Sequence, residues 1–409
     1  MPLLGGHFDL IPDPRRDHGR RHALPDVFGL ALCAITAGAD SFLAIEAFGK
    51  ARLDWLRQFL TLDGGVPSHD TVRRVFALVD RRHFERSFAA WARDAFRRTE
   101  GQVVAVDGKR LRRARDAGEP MLTVVSAWAS EAGAALGQVT TDGGEGEVSA
   151  IPRLLALLDL SGCIVTLDAA GCQSDIAEQI VRGGGDYVLA LKGNQAGLRG
   201  DAERWLFGAT LAGSVDAFET SERGHGREEV RRYWSAAVPP DAFRAPAWPG
   251  LRSVGMVEAT RTVGGATTTE QRYFATSLGV DAEALARAVR GHWGVENGLH
   301  WSLDVSFGED ASRTRTEHAA ANLAVARRVA LTLLRAETTA EGGAPTKRMR
   351  CAWDAGYLAR VLQLEWCVAP VRLVGSGTSQ FLDTQTHHVG IVARKPRGRR
   401  RVVLRAERM

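Results

Sequence analysis

The sequence predicts a mixed α/β (α+β) fold: a mixed sheet carrying flanking helices, entered through an all-helical N-terminal region and interrupted by a β-rich insertion. Three patterns lead there. Residues 10–98 place apolar side chains at helical spacing and need no strand. From Gln102 the chain changes to short apolar runs separated by turn residues and helical stretches, in the order βββαβαβ. Residues 200–270 then break that alternation with Gly/Pro-rich turns and short Val/Thr/Tyr runs.

In the helical region a basic entry segment (Arg15, Arg16, Arg20, Arg21) precedes stripes such as Phe84, Phe88, Trp91 and Ala95. Pro67-Ser68-His69-Asp70 opens a helix with Ser68 as its cap and Val72, Val75, Phe76 and Val79 as its buried stripe. That leaves His69, Arg73 and Arg74 outside, as a solvated polar face or as one that meets DNA. The strands follow as Val103–Val106, Met121–Trp128 and Ala134–Val139, the last two joined by Glu131-Ala132-Gly133 as a hairpin. A helix from Ser149 or Ala150 to Leu158 keeps Pro152 in its first turn, where a missing N–H is tolerated. A strand Cys163–Leu167, a helix Ser174–Arg182 and a strand Tyr187–Leu191 ending at Lys192 complete the series.

The insertion takes its turns from Pro239-Pro240, Pro246, Pro249 and Gly264-Gly265. Helix resumes behind Asp281 as N-cap and runs through Leu285, Ala288, Val289 and His292 toward Glu296. Gly291, Gly294 and Gly298 each weaken it by about 1 kcal/mol relative to Ala, so packing must hold this segment. The expected organisation is therefore a helical unit over 1–98, a sheet-bearing unit over 99–340 with the insertion at about 200–275, a C-terminal helical segment over 341–369 and a basic tail over 370–409. No internal repeat, coiled coil, or GxGxxG or GxxxxGK nucleotide-binding signature is present.

At 409 residues, 45% apolar and 25% charged, the chain has enough sequence for two or three globular units. Its five cysteines are odd in number, scattered and without CxxC spacing, which excludes a disulfide framework and a structural zinc site and fits a reducing cytoplasm. The N-terminus lacks a basic segment followed by an apolar core, and the longest apolar run, Val27 to Ala39, is too short to span a bilayer, so a cytoplasmic protein without a membrane partner is expected. The net charge of +5 is uneven: residues 394–409 hold eight Lys/Arg and one Glu, +7, leaving −2 for the rest. Such a tail is a solvated, disordered end or a nucleic-acid contact.

Three acids carry the chemistry. Asp107 in VVAVDGK and Asp168 in IVTLDAAG each finish a strand, and Glu296 lies in the aromatic, histidine-rich stretch RGHWGVENGLHW. Strands neighbouring in a sheet of this order bring Asp107 and Asp168 close, where two carboxylates repel unless a cation sits between them. Oxygen ligands favour Mg²⁺ or Mn²⁺ over Zn²⁺. Two such ions about 3.5–4 Å apart activate a water or 3′-hydroxyl and stabilise the leaving oxygen of a phosphodiester, with no covalent enzyme intermediate. A competing set is His292, Glu296 and His300 on one helical face, which could take Zn²⁺ although HExxH is absent. Trp293 and Trp301 beside it fit core packing or base stacking.

VDGK (106–109), LDAAGCQ (167–173), YVLALKGNQ (187–195), HGREE (225–229), HWGVENGLHWSLDVSFGED (292–310) and KRMRCAWDAGYLARVL (347–362) occur in this order. Over roughly residues 10–368 this set resembles the H-repeat-associated transposases of bacterial insertion sequences. The resemblance implies an RNase H-like core whose Asp/Asp/Glu (DDE) triad, Asp107, Asp168 and Glu296, binds two divalent metals and is catalytic, with a β-insertion before the last catalytic helix. Lys192 and Asn194 match a signature in KGNQ, with a phosphate contact expected of the lysine. Trp293 is similar to an aromatic that stacks on a displaced base in related transposases.

The chain departs from the wider group's Tyr-Arg-Glu-Lys signature: His292 stands in the arginine's place and Leu303 in the lysine's, which keeps Asp304, Glu309 and Asp310 as alternates to Glu296. Ala170 replaces a common Met, a change that leaves metal binding alone. What the resemblance implies is a homodimer on double-stranded DNA that recognises terminal inverted repeats, cleaves at their ends and joins them to target DNA. Lys192, Asn194, His292, Trp293, Arg73 and Arg74 are its expected DNA contacts. The rival is a catalytically inactive or domesticated DNA-binding protein that keeps the fold.

Overall fold

In the computed structural model the described residues are 6–17, 20–96, 101–114, 121–141, 144–224, 226–238 and 248–364; the basic tail lies outside them. The chain begins with helices α1 (Leu24–Thr36), α2 (Phe42–Ala51), α3 (Leu53–Leu56), α4 (His69–Leu78) and α5 (Arg81–Ala95). Ser68 caps α4 as its sequence predicts, its Oγ accepting from the Thr71 N–H at 3.3 Å. Val72, Val75, Phe76 and Val79 are buried, while Arg73 and Arg74 face outward. Phe28 joins the helices, its ring 5.4 Å from Phe76 and 4.7 Å from Phe84.

Strands β1 (Val103–Arg110), β2 (Thr123–Ala129) and β3 (Ala134–Thr140) form an antiparallel meander. Helix α6 (Glu147–Leu155), β4 (Ile164–Leu167), α7 (Ser174–Arg182) and β5 (Asp186–Leu191) follow, and β4 and β5 run parallel to β1. The order β3-β2-β1-β4-β5 with these directions is the expected RNase H-like mixed sheet. Alternation along β1 explains its two covered faces. Val104 and Val106 join a core with Ile151, Leu154 and Ile176, whereas Val103 packs with Leu285 and Val289 on the other side. Asp107, one pleat beyond Ala105, points to that second side.

Three elements differ from expectation: β1 runs on past Asp107 to Arg110, because residues 107–110 stay paired with β2. The helix after β3 runs from Glu147 to Leu155, starting two or three residues earlier than predicted and ending three earlier than Leu158, so Pro152 lies inside it. An acid suits the positive end of a helix, and Ser149 works within the first turn by donating to the Gly146 carbonyl at 2.7 Å. Residues 196–211, where the glycine-diluted sequence gave no helical period, form α8 (Ala196–Leu211), and strand begins only at Asp216. Then β6 (Asp216–Gly224), β7 (Arg227–Ala237), β8 (Ser253–Val263) and β9 (Ala266–Thr276) pair antiparallel. Since β9 also pairs with β5, these strands extend the core sheet to nine, in the order β3-β2-β1-β4-β5-β9-β8-β7-β6.

Helices α9 (Ala282–Gly294), α10 (Trp301–Phe307), α11 (Ala319–Ala336), α12 (Ala344–Trp353) and α13 (Ala355–Val361) close the chain. One apolar core unites the N-terminal helices, Trp128 of the sheet, α11 and α13. Asn322 of α11 caps the end of α4, its Nδ2 donating to the carbonyls of Phe76 and Val79 at 2.8 and 2.7 Å. Among the described residues, no helix is long and apolar enough to cross a membrane.

Candidate active site

The register of the parallel pair β1 and β4 sets two of the acids. Val106 pairs with Leu167, so Asp107 and Asp168 emerge next to each other where β4 ends. Asp107 stays in the ladder opposite Ser126 of β2, which fixes its backbone. Asp168 is fixed differently: its Oδ1 accepts from the N–H groups of Ala170 and Gly171 at 2.9 and 3.2 Å. From the turn after β5, Asn194 donates its Nδ2 to the Ala169 carbonyl at 2.6 Å and so braces the Asp168 loop.

Glu296 arrives on the helix that covers the face of the sheet to which Asp107 points. Asp281 caps α9, accepting from the Ala284 N–H at 2.8 Å. A β-carbon on Gly291 would lie 2.7 Å from Val103 Cγ1, and one on Gly298 would lie 2.8 Å from Trp128 Cζ2. The glycines that weaken this helix in isolation are thus what lets it lie against β1 and β2. Residues Val295–His300 then widen into a turn of π-helix, a helical defect often found at functional sites. It buries His300 and leaves the Glu296 side chain 56% exposed.

His300 Nδ1 lies 3.5 Å from Asp107 Oδ2 and 3.5 Å from Glu296 Oε2. One donor atom from each of Asp107, Glu296 and His300 falls within 4.8 Å of the others. Burial, followed by the nearby carboxylates of Glu147, Glu296 and Asp168, pushes Asp107 up to about 8. Burial, followed by the Arg328 charge, pushes His300 down to about 4, so its ring is neutral at pH 7. A divalent cation would reverse the repulsion at Asp107 by favouring the ionised form. The carboxylate oxygens suit Mg²⁺ or Mn²⁺. The His292/Glu296/His300 zinc set is not assembled: His292 Nδ1 instead meets Thr166 Oγ1 at 3.0 Å, and Asp107 takes its place in the donor cluster.

The alternates to Glu296 are engaged elsewhere. Lys109 Nζ lies 2.7 Å from Asp304 Oδ1 and 2.8 Å from Asp310 Oδ1, and Glu309 pairs with Arg328 inside the core. Leu303, in the lysine's place of the wider signature, is fully buried, and Lys109 supplies an ammonium to its neighbour Asp304.

A cleft of about 340 Å³ opens over these groups, lined in part by Asp107, Asp168, Lys192, His292, Trp293 and Glu296. Trp293 is 43% exposed at its mouth, with the Arg272 guanidinium 5.1 Å from the ring centroid. Beyond it runs a groove lined by Arg227, Arg231, Arg261, Arg272 and Arg290. Arg73 and Arg74 are not among the residues lining either recess. A fourth acid, Glu147, is close enough to Asp107 to raise its pKa and was not singled out from sequence. It is embedded in the loop-like stretch TDGGEGEVS, and its one sequence signal is an acid opening the helix after the third strand.

Two family models match the chain: residues 98–333 match the Transposase DDE domain, and residues 6–92 the DDE_Tnp_1-associated domain. "Putative transposase YncI" of Escherichia coli is 38% identical over 363 residues, covering 87% of this chain and 93% of that protein. "H repeat-associated putative transposase YhhI" of Escherichia coli is 36% identical over 370 residues, covering 88% and 98%. A solved piggyBac transposase synaptic complex with hairpin DNA overlays with a TM-score of 0.40 at 12% identity, over 90% of this chain and 79% of that one, too distant to bear on function. With a matching helical region, a matching sheet domain and relatives aligned over nearly their whole length, the chain belongs to the DDE transposase family.

Proposed function

We propose that this DDE transposase binds the terminal inverted repeats of its own element, cuts DNA at their boundary and joins the freed 3′-hydroxyls to target DNA. Asp107, Asp168 and Glu296 would hold two Mg²⁺ or Mn²⁺ ions, which activate the attacking oxygen and stabilise the leaving one. The observation that carries this is the convergence of the three acids on one cleft. Among the described residues none of them pairs with Lys or Arg, whereas Asp304, Glu309 and Asp310 nearby all do. Asn194 and His292 keep the Asp168 loop and the helix in place beneath the substrate, and Lys192 stands at the rim for a phosphate. Trp293 offers a partly exposed ring for an unstacked base. The N-terminal helices, with Arg73 and Arg74 on the outer face of α4, would recognise the repeats. Pairing two ends implies a homodimer on DNA.

The test is cleavage of terminal-repeat DNA by the purified chain with Mg²⁺ or Mn²⁺, beside Asp107→Asn, Asp168→Asn and a metal-free control. Metal-dependent cuts at the repeat boundary, lost in both variants while DNA binding persists, are expected. Full activity in either variant would sink the metal assignment. Binding without any cut would favour an inactive DNA-binding protein.

A further inference from the structure

We propose that Glu147 is a fourth carboxylate of the metal site, reaching it across Gly108 from the face of β1 opposite Asp107; this rests on the metal-site reading above. Side chains alternate along a strand, so the position after Asp107 points to the α6 side. There the chain has glycine, and the Glu147 carboxylate occupies the space a side chain would fill. A β-carbon on Gly108 would stand 2.5 Å from Glu147 Oε2 and 2.6 Å from Oε1, closer than atoms approach. Gly108 thus stands between two acids that approach β1 from opposite faces, and the Glu147 charge is near enough to Asp107 to raise its pKa. Asp168 is near enough to repel Glu147 as well. No ion pair or side-chain hydrogen bond of Glu147 is found among the described residues.

A partly buried acid placed against two others, with the charge of Arg110 nearby but no ion pair made to it, is an arrangement a metal ion completes. On the Asp107 side the site holds a buried imidazole. His300 is 6% exposed and presents Nδ1 to Asp107 and Glu296, and its Nε2 has no partner among the described residues. Mg²⁺ takes an octahedral set of oxygen ligands in which waters stand beside one or two carboxylates. Glu147 would supply one directly or through a metal-bound water.

The test is Mn²⁺ binding to the full chain without DNA, followed by the electron paramagnetic resonance signal of free Mn²⁺, together with melting in EDTA. Glu147→Gln should raise the Mn²⁺ dissociation constant about 10–100-fold and leave the EDTA melting temperature unchanged or higher. Gly108→Ala keeps the acid but displaces it, and should weaken Mn²⁺ binding in the same way. Wild-type affinity in both variants, beside an Asp107→Asn that has lost it, would overturn the role of Glu147 and leave the metal site standing. Absence of saturable Mn²⁺ binding in the unaltered chain would overturn both. A Glu147→Gln that melts lower in EDTA with unchanged Mn²⁺ affinity would make the residue structural and overturn the proposal.

Discussion

Inside the core, Nη1 of Arg328 lies 2.9 Å from Oε1 of Glu309, with neither side chain reaching solvent. Arg328 also donates from Nε to Ser126 Oγ at 3.0 Å, which ties α11 to β2 directly beside Asp107. Glu309 is thus consumed in holding the platform, and Glu296 is the acid left to face the cleft. Breaking a buried pair strands a charge at a cost of about 3–5 kcal/mol. Glu309→Ala should therefore lower the melting temperature sharply. Glu296→Gln should melt near the unaltered chain and yet lose strand cleavage. The opposite pattern, measured by calorimetry and cleavage on the same preparations, would move the third acid to Glu309.

Metal and proton compete at Asp107. Its folded pKa, about 8, lies above the ordinary 3.8 of an aspartate, so without metal the folded chain holds a proton there that the unfolded chain has released. Stability must then fall as pH rises toward 8 and level off above it. His300 opposes this only below its ordinary value of 6.5, because its folded pKa is depressed to about 4. Between pH 6.5 and 8, in EDTA, the melting temperature should drop; Mg²⁺ and Asp107→Asn should each reduce the drop. Equal slopes for variant and parent would contradict the raised pKa.

Much of this arrangement is readable before any coordinates. The strand running Ile-Val-Thr-Leu into Asp168 marks its own end because β propensity stops there, whereas β1 runs on past Asp107 to Arg110, held by its pairing with β2 rather than by its own residues. The capped starts at Ser68 and Asp281 are equally plain, since a cap is a local feature. What stays hidden is non-local. Nothing local to Gly108 announces that α6 sets Glu147 against it, and the π-turn that separates His292 from Glu296 and His300 has no local sequence signal. Helix α8 is missed because Gly197, Gly200 and Gly208 dilute its period, and tertiary packing of Leu198, Ala202 and Leu206 decides the matter instead.

Gly298 tests the close approach of helix to sheet. Trp128 beneath it is 1% exposed and has nowhere to move, so a methyl group there must push the π-turn away. Gly298→Ala gains up to about 1 kcal/mol in helix propensity and loses about 1–3 kcal/mol to overpacking. A lower melting temperature and a larger fractional loss of cleavage than of DNA binding are expected. Unchanged melting and cleavage would mean that the glycine is not what seats Glu296.

Arg74 on the outer face of α4 offers a cleaner probe of DNA contact than Arg73, whose Nη2 is 3.2 Å from Asp70 Oδ1. If Arg74 meets a phosphate, Arg74→Ala should weaken binding to repeat and unrelated DNA alike and reduce the salt slope by about one. Fluorescence anisotropy across a salt series measures both. An unchanged slope would leave that face of α4 to solvent.

Glu85 links the N-terminal helices to the sheet edge, its Oε1 accepting from the Thr140 N–H and hydroxyl at 2.8 Å each. Burial pushes its carboxyl up to about 7 against those hydrogen bonds and the charges of Arg81 and Arg153. The folded chain keeps the proton between pH 4.5 and 7 while the unfolded chain has lost it, so this group favours folding fully below 4.5 and loses that advantage as pH rises through 7. Glu85→Gln, which stays neutral, should flatten this part of the stability profile and be relatively more stable than the parent at pH 8. Denaturant titrations at pH 5, 6, 7 and 8 measure it. A Gln variant whose profile runs parallel to the parent's would show that Glu85 is ionised throughout, with its charge answered by the Thr140 donors and the neighbouring arginines.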